Sequence, residues 1–102
     1  MKNYKWYKLD GKIPAIDETN GQWFKQNRSR ARIAHALLNN ETEITTVFLC
    51  LSTDDSKRPL LFETSVFIKN VAEKICKYAT YDEAILGHKK LVEENKKNLN
   101  IP

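Results

Sequence analysis

LLFETSVFIK, Leu60 to Lys69, is the stretch on which the fold turns. Side chains of an extended chain alternate between faces. The run therefore sends Leu60, Phe62, Val66 and Ile68 one way and Leu61 and Phe67 the other, while Glu63 turns either to water or toward a site that needs a carboxylate. Upstream, from Arg30, period two continues: Ala31, Ile33, His35 and Leu37 share one face, and Arg32, Ala34, Ala36 and Leu38 the other. NNET supplies turn residues, and EITTVFLCLS returns as a strand dense in β-branched and aromatic residues. TDDSKRP is a polar loop ending at Pro59. These segments make an antiparallel meander, to which EKICKY adds a fourth strand unless Val71 to Lys77 turns helical.

The C-terminal third changes period. Thr80 followed by Glu83 is a capping box, and Ala84, Ile85, His88, Leu91, Val92 and Leu99 recur at helical spacing with charged residues between them. The reading is an amphipathic helix lying on the sheet, its KKNLNIP tail frayed. At the other end, NYKWYKL, the turn Asp10–Gly11 and KIPAI form a short hairpin whose second arm is held to an edge by Pro14. A short helix follows from about Gly21 to Asn27, with Asp17, Thr19 and Asn20 as capping candidates. The expected fold class is α+β: one domain, residues 1–102, an antiparallel three- to five-stranded meander with a C-terminal amphipathic helix on one face and a short N-terminal helix. Val47, Leu49 and Leu51 alternate with Phe48 and Cys50, so both sheet faces look for cover. Either the Trp23 helix and the N-terminal hairpin supply it, or a partner chain does, as in a homodimer.

At 102 residues there is room for a single core. Cys50 and Cys76 lie in apolar runs away from metal-ligand spacing, which fits a reducing cytoplasm. No apolar run has the length of a signal peptide or a membrane span, so an unprocessed, soluble chain that does not engage membranes is expected. Net charge is +4, and the excess is N-terminal, where residues 1–40 carry 8 basic and 3 acidic side chains.

Signals for catalysis are weak. There is no phosphate-cradling glycine loop, no G-x-S-x-G elbow and no C-x-x-C pair, and the sequence calls for no cofactor. Asp54 and Asp55 lack the further oxygen ligands of a calcium loop and read as a solvated turn. His88 falls on the apolar stripe, where a packed, hydrogen-bonded ring is the ordinary explanation, and Gly87 beside it permits close approach of helix and sheet. Glu63 and His88 are the catalytic candidates; with His35 they form a metal or acid–base cluster only if the fold brings them together. Arg28, Arg30 and Arg32 share a face if the strand begins early, with Trp6, Trp23, Tyr4 and Tyr7 able to stack nearby. That combination suits an anion carrying rings, a nucleotide or single-stranded nucleic acid; the plainer reading is a solvated edge.

The opening YKLDGK.P, the segment WF, the hairpin end TVFL, the strand PLLFET.VF and the closing Y.TYDEA..GH resemble, in order and spacing, a family of small bacteriophage and prophage proteins. The resemblance implies an α+β fold and a mobile-element origin, and assigns no activity. After TVFL the relatives tend to show a Gly-Leu-Asp-His type of stretch and a glycine-rich loop, whereas this chain runs from Cys50 into DDSKRP; Glu63, Thr64, Gly87 and His88 keep to the pattern. The expected function is a binding protein without catalysis that occupies a host or defence component, as inhibitor or sequestering protein. The alternatives are a nucleotide or nucleic-acid module using Arg28, Arg30 and Arg32, and a small enzyme using Glu63 and His88.

Overall fold

Every second residue of TEITTVF, Thr42 to Phe48, is buried, and this strand is the spine of the molecule. The computed structural model describes residues 3–102. In chain order the elements are β1 (Lys5–Asp10), β2 (Ile13–Ile16), α1 (Gln22–Gln26), α2 (Arg28–Ala31), β3 (Arg32–Leu37), β4 (Thr42–Phe48), β5 (Leu51–Ser52), β6 (Phe62–Ile68), β7 (Val71–Tyr78) and α3 (Tyr81–Asn98). The fold is α+β, with a four-stranded antiparallel sheet in the order β3-β4-β6-β7 and a three-stranded one in the order β2-β1-β5. The expected meander and N-terminal hairpin are both present, and EKICKY is strand.

Register puts Phe48 opposite Phe62, Thr46 opposite Thr64 and Ile44 opposite Val66. These pairs form the buried face, on which α3 lies with Ala84, His88 and Leu91 turned inward. Thr80 opens the helix by accepting from the Glu83 amide at 3.1 Å. The return arm of the capping box is not made, because the Glu83 carboxylate instead accepts from the Thr80 hydroxyl and from Arg58, each at 2.9 Å. The far end does not fray. Asn100, in the left-handed region at φ 56°, lets Ile101 N–H bond the Lys96 carbonyl at 2.8 Å and Asn100 N–H bond that of Lys97, a Schellman closure.

Two further expectations need correction. The strand expected from Arg30 starts at Arg32, since Arg28–Ala31 is a helical turn whose Arg30 and Ala31 amides bond the Asn27 carbonyl. Aromatic residues of α1 overrule the period-two pattern: Arg28 lies over Phe24 at 5.4 Å and Arg30 over Trp23 at 5.5 Å. A bulge then falls between Arg32 and Ala34. Second, the hairpin and α1 do not cover the second sheet face. Tyr7, Leu9, Trp6, Trp23 and Phe24 join Phe48, Phe62 and Ala84, extending the core on the α3 side beyond the start of the helix. The opposite face carries Glu43, Thr45, Val47, Glu63, Ser65 and Phe67, all half-buried, flanked by the exposed Leu37 and Ile75.

Candidate functional site

Asp17 organises the N-terminal half. Buried at 6% exposure, its carboxylate accepts from the Thr19 amide (2.9 Å), the Thr19 hydroxyl and the Trp23 amide (3.3 Å). The Thr19 hydrogen bonds hold its pKa below the ordinary value against the opposing effect of burial. Asp17 N–H in turn bonds the Trp6 carbonyl, tying α1 to β1. Gly21, at φ 89°, sits where a Cβ would come within 3.0 Å of the Trp6 indole. No other residue lets the chain turn so close to that ring. Trp23 meets Phe48 edge to face at 6.0 Å, and Phe24 meets Trp6 at 6.4 Å.

Between these aromatics and the β4–β5 connection runs a groove of about 470 Å³. Trp6, Phe24, Phe48 and Leu51 give it an apolar lining, to which Arg28 and Arg32, both exposed, bring positive charge. Cys50 also lines it, with its thiol pushed up to about 11 by burial and then by the Asp17 charge, so it is held as a neutral apolar group. The volume is that of an ordinary ligand or side-chain pocket. Its chemistry is adhesion: apolar contact plus guanidinium donors, with no carboxylate, histidine or hydroxyl side chain in the lining.

Of the residues singled out in the sequence, the groove gathers Arg28, Arg32 and Trp6. Arg30 points instead over Trp23, which does not line the groove, so the three arginines do not share one strand face. Phe24, Cys50 and Leu51 are not singled out by the sequence, in which Cys50 and Leu51 read as the end of one EITTVFLCLS strand; β4 instead stops at Phe48, and the apolar run continues into the two-residue β5, which pairs with Lys5 and Trp6.

The catalytic candidates are separated. His88 is buried on the α3 side, its Nδ1 2.8 Å from the Thr46 hydroxyl, which is itself 2.5 Å from the Thr64 hydroxyl. Burial, then the charge of His35, holds its pKa below 6.5. Glu63, adjacent in the chain to Thr64, faces the other side of the sheet and lies 3.9 Å from Lys77 on β7. The β-sheet therefore stands between the two, and the acid–base pairing of Glu63 with His88 is withdrawn. His35 lies 2.9 Å from Glu43, whose pKa that hydrogen bond lowers. Among the described residues no three His, Cys, Asp or Glu side chains gather at a metal's reach. Asp54 closes its loop, accepting from the Leu60 amide at 2.8 Å and the Ser56 amide at 3.0 Å. No described helix is long and apolar enough to cross a membrane. The chain matches no protein-family model, no curated protein and no solved structure.

Proposed function

We propose that this chain is a non-catalytic binding protein of a phage or mobile element, acting in the bacterial cytoplasm by occupying a host or defence protein through the groove between α1, α2 and the β4–β5 connection. The observation that carries the reading is the composition of that groove: Trp6, Phe24, Phe48 and Leu51 beside the exposed Arg28 and Arg32. Protein interfaces concentrate their energy in such aromatic and arginine clusters. His88, the one buried imidazole, is hydrogen-bonded through its Nδ1 to the Thr46 hydroxyl inside the core. A role in packing accounts for it.

The test is capture from bacterial lysate on the immobilised chain, compared with a Leu51→Asp variant. Leu51 is 41% exposed, so an aspartate there changes the groove without entering the core. A protein retained by the wild type and lost by the variant supports the reading. Retention by both, or capture of nothing, counts against it.

A further inference from the structure

We propose, building on that reading, that the groove's partner is an acidic peptide segment bearing one large apolar side chain: the side chain enters beside Trp6, Phe24 and Leu51, and flanking carboxylates meet Arg28 and Arg32. The charge argument begins in the sequence. From Thr19 to Asn40 there is no Asp or Glu, while Lys25, Arg28, Arg30 and Arg32 all fall within it. Among the described residues none of these three arginines lies within 4.0 Å of a carboxylate, whereas Arg58 and Lys77 each have one. Of the two guanidinium groups beside the groove, that of Arg28 is held over the Phe24 ring, and neither has a carboxylate at ion-pair distance among the described residues, so both have hydrogen-bond donors left for an incoming acid. Arginine's planar fork matches a carboxylate in two parallel bonds.

The same rings decide against nucleic acid. Sequence-tolerant binding of single strands needs aromatic faces on which bases stack. Here Arg28 lies over Phe24, Arg30 lies over Trp23, and Gly21 abuts the Trp6 indole. A base seeking the Phe24 or Trp23 face has a guanidinium to displace, while a carboxylate finds that guanidinium already positioned.

The experiment is selection of random peptides displayed on particles against the full chain, followed by fluorescence anisotropy with the selected peptides. The expected winners carry one Trp, Phe, Leu or Met next to two or more Asp or Glu. Their affinity falls about tenfold or more in an Arg28→Ala, Arg32→Ala double variant, as loss of charge-assisted contacts requires. It stays within about twofold in Arg30→Ala, because an exposed charge away from the contact contributes little. Circular dichroism of each variant separates loss of binding from loss of fold. Winners without acidic residues, equal binding by the double variant, or no enrichment would overturn the inference. So would oligothymidylate binding that outcompetes the peptides and weakens steeply with salt, or self-association abolished by the same double variant. If lysate capture still depends on Leu51 while acidic peptides fail, the binding reading stands and only this partner chemistry falls. If neither depends on the groove, both fall.

Discussion

Replacing Gly87 by alanine sets two opposed effects against each other, and the structure says which wins. In an exposed helix interior the change stabilises by about 1 kcal/mol, because glycine alone pays the full backbone entropy. At Gly87 the new Cβ would lie 2.2 Å from the Tyr78 hydroxyl oxygen, 2.3 Å from its Cζ and 2.6 Å from its Cε1. Ordinary carbon contacts are about 3.5–4.0 Å, so ring or helix must move by more than an ångström. Overpacking of this kind costs about 1–3 kcal/mol. Tyr78 is only half-buried on β7, an outer strand, so its ring can yield in part. The expected net effect is destabilisation by about 1 kcal/mol, or about 4–8 °C in Tm for a domain of this size. The assay is urea unfolding of four proteins: wild type, Gly87→Ala, Tyr78→Ala and the double variant. In the Tyr78→Ala background the obstruction is gone, so Gly87→Ala should change sign and stabilise. Tyr78→Phe does not rescue, since Cζ remains. A Gly87→Ala protein more stable than wild type, or an effect of the same sign in both backgrounds, refutes the claim that helix and sheet meet through this glycine.

His88 predicts a pH dependence. Its pKa is lower in the folded chain than the unfolded value of 6.5, so the unfolded state takes up the proton first; stability is complete above about pH 6.5 and declines below it, by at most ~1.4 kcal/mol per pH unit, until the folded pKa is reached. Thermal melts between pH 5 and 7 should show that decline, and His88→Leu should flatten it; an unchanged slope in the variant assigns the effect elsewhere. Thr80→Ala removes the acceptor for the Glu83 amide and should cost about 1 kcal/mol, while Thr80→Ser, measured by the same melts, should cost little. Maleimide labelling of the native chain should modify Cys76 well before Cys50, which is 6% exposed with its thiol pushed up to about 11; equal rates for both would refute the burial of Cys50.

What could be read from the sequence was what local periodicity controls. The strand character of β4 and β6 follows from β-branched residues alternating with a buried set, and α3 from its cap and apolar stripe. The hairpin β1–β2 was also legible, although the turn falls on Gly11 and Lys12, with Asp10 paired to Ile13, one residue beyond the expected position. The turn between β6 and β7 left no comparable mark. Lys69 and Asn70 both stand at positive φ, at 53° and 66°, and lysine is an unfavourable choice there. Pairing on both sides of the turn, Ile68 with Val71 and Phe67 with Ala72, holds the lysine in that conformation, and nothing local announces it.

The candidate site was harder to read because it is made by contacts distant in sequence. Period two puts Arg28, Arg30 and Arg32 on one face only if the strand begins early; Phe24 and Trp23 instead draw Arg28 and Arg30 to different rings, and the chain winds into α2. Glu63 and His88 looked joined because both belong to a pattern spanning the chain, yet the alternation that identified β6 already decided against them. Phe62 and Thr64 face α3, so Glu63 between them cannot, and its nearest cation is Lys77 on the opposite face. The same parity explains why a histidine is tolerated in the core. Thr46 and Thr64 are cross-strand partners on the inward face, their hydroxyls bonded to each other, and His88 completes the chain of polar atoms at Thr46. Among the described residues no buried side-chain nitrogen or oxygen is left without a partner. Exchanging Thr46 for valine keeps the shape and removes the shared hydroxyl, leaving His88 Nδ1 without its partner, and so tests whether that chain of atoms, rather than the apolar contacts around it, holds α3 in register on the sheet.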